Sequence, residues 1–331
     1  MVLKKIATNV KSFIPNYYIF EGSIINILTG QKIKNIGKHN EIMAFGENVI
    51  TRDINGNSNI INIVDGIVDS MFKIDTVAFP YFTFYELNNL EIEGIFDYTE
   101  KKVLFETKDW IGRTILNDCI FTENITCRDI RNGNILWHFP LQTLPNNPHD
   151  DNYNKTSDWE VKAFIGVLTG KLWVALNHHT IIALDIKTGE LVHQIHDIPN
   201  FKCAWLPSAI PLSEATQIDK KNNKLVGFMW EFYWEINPTN GEIQLWDLSN
   251  DFLAQKIRND VSKFVLMDKN IYFASYFDSK IGIFDTETKQ IVWNYTFSDG
   301  DRIMDIQASE HLIGALSAGK TLYIFEKENN E

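Results

Sequence analysis

Short stretches in which apolar and polar positions alternate run the length of this chain. From Lys263 the sequence reads KFVLMDKN, IYFASYFDSK, IGIFDTETK and QIVWNY. Each stretch is rich in Val, Ile, Phe, Tyr and Leu and is bounded by Asp, Asn, Lys, Thr or Gly, the pattern of β-strands joined by tight turns. Four strands, a to d, thus fill the segment from Lys263 to Tyr295. The same division fits Arg113–Phe139 and Asp158–Gln194. One stretch breaks the pattern: DLSNDFLAQKIRNDVSKF predicts a short helix, capped near Asn250 or Asp251.

One phrase recurs along the chain. An apolar strand ends in Asp or Asn, a turn follows with Gly four residues on, and the next strand carries a large side chain at the eighth. It is complete at Asp129, Gly133 and Trp137. Asp185, Gly189 and His193 repeat it, as do Asp285, Lys289 and Trp293, and Asp97, Lys101 and Phe105. Asn237 and Gly241 are followed by Trp246, one residue late, and weaker copies start at Asn26, Asn62 and Glu326. The chemistry is that of a β-turn. The Asp or Asn side chain accepts backbone N–H groups two residues on, and Gly takes a positive φ that costs other residues roughly 1–2 kcal/mol. A Trp in the next strand buries about 150–250 Å² and can pack one unit on the next.

The Asp-x-x-x-Gly-x-x-x-Trp phrase resembles the repeat of quinoprotein-like (pyrroloquinoline-quinone-type) propellers, relatives of the WD-repeat propellers, over nearly the whole chain. The resemblance implies an all-β fold, a β-propeller of four-stranded antiparallel blades, forming one domain over residues 1–331. The markers at 26, 62, 97, 129, 185, 237, 285 and 326 give eight blades, with seven as the alternative because the first three units are crowded. The last unit stops after its third strand. Val2–Ala7 would supply the missing outer strand and close the ring, removing an open edge.

Marker intervals of 36, 35 and 32 residues are followed by 56, 52 and 48, then 41. The extra length falls between one d strand and the next a strand, at 138–159, 196–223 and 247–262. In a propeller these d-to-a connections emerge at the same end as the b-to-c turns. All three would then meet the turns carrying His178, His179, Glu231, Phe232, Phe277 and Asp278. A binding face is expected there, centred on Trp205, Phe232 and Phe277, with Glu231, Asp278, Asp150 and Asp151 around them. Loops on a rigid scaffold are where binding residues gather. Arg113, Lys162, Lys263 and Arg302 fall at or near the starts of a strands, and form a candidate basic ring at the mouth of the channel, able to hold an anion or carboxylate.

Composition narrows the function. The chain has 331 residues and a formal charge of -12, which opposes a nucleic-acid partner and favours a basic one. No apolar run approaches the ~18 residues of a membrane-crossing helix. Three cysteines, Cys119, Cys127 and Cys203, make no disulfide framework and fit a reducing compartment. The first twenty residues lack an apolar core and a small-residue cleavage site. We therefore expect a cytoplasmic protein.

Candidate chemistry is thin. Gly166–Lys171 is one residue short of a phosphate-binding loop and carries Leu172 where Ser or Thr is needed. Asp53, Asn55, Asn57 and Asn59 alternate like a calcium loop, without its Gly and bidentate Glu. His178, His179, His193 and His196, with His138 and His149 upstream, would need to converge to bind zinc. The expected function is a non-enzymatic, protein-binding propeller without metal or cofactor. One concrete form is a bacterial immunity protein that caps a basic toxin. The alternative is a lyase or hydrolase with a polar site in the central channel.

Overall fold

In a computed structural model, residues 1–39, 41–63, 68–69, 73–86, 89–108, 111–112, 114–145, 158–206, 209–298 and 300–327 are described. The fold is all-β, a β-propeller of eight four-stranded antiparallel blades. Its contacts divide the chain into two compact units, Met1–Asp109 with Asp260–Glu331, and Trp110–Asn259.

The first unit holds blades 1, 2, 3, 7 and 8. Blade 1 runs Val10–Ile14, Tyr17–Phe20, Ser23–Asn26 and Lys32–Asn35. Blade 7 runs Val261–Met267, Asn270–Ser275, Lys280–Asp285 and Gln290–Thr296. Blade 8 runs Ile303–Ala308, Leu312–Ser317 and Leu322–Glu326, and takes its outer strand, Val2–Ala7, from the other end of the chain. The pairing is antiparallel, from Val2 opposite Glu326 to Ala7 opposite Leu322. The second unit holds blades 4, 5 and 6. Blade 5 is Val161–Leu168, Lys171–Leu176, Thr180–Asp185 and Leu191–Ile195. Blade 6 is Thr216–Asp219, Lys224–Met229, Phe232–Ile236 and Ile243–Asp247.

All eight markers sit at the end of a c strand or one residue past it. Asp185 Oδ1 accepts the N–H of Lys187 at 2.9 Å and of Thr188 at 3.0 Å, and these bonds hold its carboxyl below the usual carboxylate range. The Gly189 N–H closes the turn on the Asp185 carbonyl at 2.8 Å. The fourth residue after the marker has a positive φ wherever it is among the described residues, including Lys101 at 53° and Lys289 at 59°.

The eighth residue does what its size suggests. The Trp137 indole donates to the Ile186 carbonyl of the next blade at 3.0 Å. Its ring lies so close to Gly189 that a Cβ there would stand 2.5 Å from Cε3. His193 repeats the contact on Gly241, with its Cγ 3.0 Å from a Cβ placed there. Gly189 is therefore required twice, for a φ of 74° and for the ring seated on it, while at Gly241 the φ of 75° is the main demand and the imidazole makes a tight contact. Trp293 is not the equivalent of Trp137. It is only half-buried, and packs on Phe325 and Tyr295. Blade 8 receives its d strand from the N-terminus, so it offers no c-to-d turn on which an indole could dock.

Two boundaries differ from expectation. The second connection ends at Ala215, because Thr216–Asp219 is strand a of blade 6; a four-residue strand preceded by one helical turn leaves too little alternation to read. The expected helix exists as Ser249–Ala254, but its side-chain support comes from Asp247, whose Oδ1 accepts the Ser249 N–H at 2.9 Å. No helix among the described residues is long and apolar enough to cross a membrane.

Removing residues 2–7 should lower the melting temperature and cause aggregation through the exposed edge of Leu322–Glu326. An unchanged melt and a monodisperse species would count against it. A second expectation concerns pH. Burial, then the Lys171 charge, hold the His193 imidazole below its usual range. The unfolded chain binds this proton more readily, so the stability is present above the unfolded value of 6.5 and is lost as pH falls below it. His193→Phe should flatten that part of the stability profile, as read by thermal melts from neutral to mildly acidic pH.

Candidate functional site

In the second unit, all three inserted connections meet the b-to-c turns of blades 5 and 6. Blade 5 turns through Asn177, His178 and His179 between Leu176 and Thr180, with both histidines left-handed at φ of 54° and 55°. Each histidine pins one connection. The His178 ring stands edge-on to Trp159 at 5.2 Å between centroids, and His179 Nδ1 lies 2.8 Å from the Ile210 carbonyl. Asn177 adds a clamp: its Oδ1 accepts the Glu160 N–H at 3.0 Å and its Nδ2 donates to the Asp158 carbonyl at 2.9 Å. Described residues of the first two connections are thus tied to this turn.

Blade 6 turns through Trp230 and Glu231 between Met229 and Phe232. Phe232 is buried, at 1% exposure. It is not the surface anchor that alternation suggested, because residues of the second connection cover it. Phe201 meets it edge-on at 5.4 Å, and Trp205 lies tilted over it at 5.7 Å. Trp205 also stands edge-on to Trp230 at 5.1 Å. The outermost ring of this stack is Trp205, 51% exposed. The result is a rigid aromatic platform with a solvent-facing indole fixed from below.

Glu231 is also buried, at 5% exposure. Its Oε1 accepts a long bond from Asn259 Nδ2 at 3.4 Å, while Oε2 is buried without a hydrogen-bond partner. Its backbone carbonyl accepts the Leu248 N–H at 2.9 Å, which ties the third connection to the same turn. Burial raises the Glu231 carboxyl above the usual range; Asn259 and its own backbone N–H oppose this, and the Asp247 charge adds to it.

The first unit has its own aromatic turn. Phe277 is 54% exposed and meets Tyr276 edge-on at 4.9 Å. The turn is held by Asp260, which accepts the Phe277 N–H at 2.8 Å and the Ser275 hydroxyl at 2.5 Å. Asp278 follows at intermediate burial. The Arg302 guanidinium lies 5.2 Å from the centroids of both Tyr276 and Phe277, with Nη1 3.3 Å from the Tyr276 hydroxyl. Arg302 is therefore part of this patch. Lys263 is exposed within the a strand of blade 7. In the second unit, Lys162 is paired with Glu160 at 2.6 Å. Arg113, Asp150 and Asp151 lie outside the described residues.

The other candidates resolve locally. Asp53 spends its carboxylate on the Asn55 and Asn57 N–H groups and on the Asn57 amide, at 2.7–2.9 Å. Among the described residues no three His, Cys, Asp or Glu side chains converge on a metal-sized site. Trp230 belongs to the aromatic run Trp230–Trp234 that crosses the b-to-c turn and is visible in the sequence, whereas Asn259, which holds Glu231, carries no sequence signal.

The Glu231 carboxyl favours its proton more in the folded state, so stability falls as pH rises from the ordinary value of 4.5 through the raised one. Glu231→Gln should raise the melting temperature at pH 7 and remove this slope. Parallel slopes in the two proteins would show that the buried carboxyl is not the source.

No family model matches the chain, and no curated protein sequence does. Solved structures do. The computationally designed protein Ika8 aligns with a TM-score of 0.59 at 12% identity, over 97% of this chain and 96% of its own. BamB from Moraxella catarrhalis gives 0.61 at 10% identity, over 98% and 99%. Sqt1 from Saccharomyces cerevisiae gives 0.62 at 10% identity, over 99% of each chain. At this identity the likeness is one of fold.

Proposed function

We propose that this chain is a non-catalytic, protein-binding propeller that docks a basic partner at the b-to-c end of blades 5 and 6. The observation that carries the reading is Trp205, half in water yet fixed by Trp230 and the buried Phe232. A large indole held in one orientation loses little freedom on binding, the property of an interface anchor. In the first unit Phe277, exposed and braced by Tyr276 and Asp260, meets the same criterion. The charge of -12 attracts a basic partner over a Debye length of about 8 Å at physiological salt. The cysteine usage supports a cytoplasmic setting. An immunity protein capping a basic toxin is the concrete form we favour, on charge and compartment.

Affinity capture from the native host, followed by binding measurements on the captured partner, tests this. Trp205→Ala should weaken binding by about 30-fold, the roughly 2 kcal/mol of a hot spot. Association should slow as salt rises. A partner indifferent to this truncation and to salt would overturn the reading.

A further inference from the structure

The second unit carries another feature, a groove that shares Phe201 with the aromatic platform. An open groove of about 1270 Å³ lies beside the outer strands of blades 5 and 6. One wall is Ile243–Asp247, the edge strand of blade 6. The other is the chain leaving blade 5, from Gln194 to Lys202.

The register decides which backbone groups face the groove. The Asn237 N–H donates to the Glu242 carbonyl, and the Leu248 N–H to the Glu231 carbonyl, both at 2.9 Å. Between these two bonded pairs the ladder runs from Ile236 opposite Ile243 to Phe232 opposite Asp247. Antiparallel pairs alternate between bonded and unbonded. Gln244 and Trp246 therefore bond inward to strand c. Ile243, Leu245 and Asp247 turn their N–H and C=O groups outward, and all three line the groove. An edge of this kind is a template for another strand.

We propose that the groove takes an extended, basic peptide segment of a protein partner as a fifth strand of blade 6. Main-chain bonds to Ile243, Leu245 and Asp247 would supply affinity, and alternate side chains would reach the walls. Charge selects the occupant. Lys224 and Glu235 neutralise each other at 2.6 Å, which leaves Glu242 and Asp247 against Lys202 among the lining side chains. That balance favours lysine or arginine side chains. It disfavours a second copy of this chain, which would bring the same acidic strand against it.

The probe is a labelled alternating Lys–Val octapeptide, with the Glu–Val octapeptide as control. The basic peptide should bind and slow hydrogen exchange at Ile243, Leu245 and Asp247 by tenfold or more, and the acidic one should bind at least about tenfold more weakly. Leu245→Pro deletes an outward donor without touching the inward ladder, as edge prolines do, and should abolish binding. Glu242→Lys, at an exposed position, should weaken it several-fold and keeps the test alive if the proline variant misfolds. Absence of binding at about 1 mM, the weak limit near -4 kcal/mol, would overturn the proposal. So would protection at other strands, unchanged binding by folded Leu245→Pro, or a dimer that protects the same three amides without peptide.

Discussion

The contact between the eighth residue of one repeat and the turn glycine of the next carries the architecture of the second unit. It makes one short phrase serve two scales. Locally, the Asp carboxylate and the left-handed glycine set the c-to-d turn. At longer range, the same glycine leaves bare backbone on which Trp137 or His193 lies flat. Any side chain at Gly189 would collide with the indole and strain its own φ, so the turn and the blade interface cannot vary independently. That coupling explains why turn chemistry persists where the strand sequences drift.

Rigid blades leave variation to the connections, and here described residues of each connection are tied to a blade turn. The b and c strands of blade 5 are buried almost throughout, from Leu172 to Leu176 and from Thr180 to Leu184. Their turn therefore projects from a fixed base, and His178, His179 and Asn177 fasten two inserted segments to it. The Glu231 turn of blade 6 fastens the third. The unpartnered Oε2 of Glu231 is the cost of that arrangement: a carboxyl placed under the insertions loses water and gains one long bond.

The fold was legible because its information is local. A marker and a turn four residues long are visible in sequence, and each of the eight markers lies where a c strand ends. Trp137 was legible for the same reason. What could not be read depends on contacts distant in sequence. Alternation places Phe232 on one side of a strand but cannot say that Phe201 and Trp205 fold back over it. Trp293 fits the phrase yet has no turn to receive it, because its neighbouring blade borrows a strand from the far end of the chain. The end of the second connection was hidden by the brevity of Thr216–Asp219.

A propeller blade ends in an outer strand, and two of these strands are supplied differently here. In blade 8 the outer strand is Val2–Ala7, which comes from the other end of the chain and pairs with Leu322–Glu326. In blade 6 the edge of Ile243–Asp247 stays open, but it faces a wall of inserted chain and an acidic lining that discourage casual pairing. The same inserted segment that builds this wall, at Gln194–Lys202, continues into Phe201 and Trp205 of the aromatic platform. One insertion thus shapes two surfaces, an aromatic one at the b-to-c end and a polar one along the blade's rim. A partner that displaces the connection at one surface must disturb its footing at the other, since both are set by the same stretch of backbone.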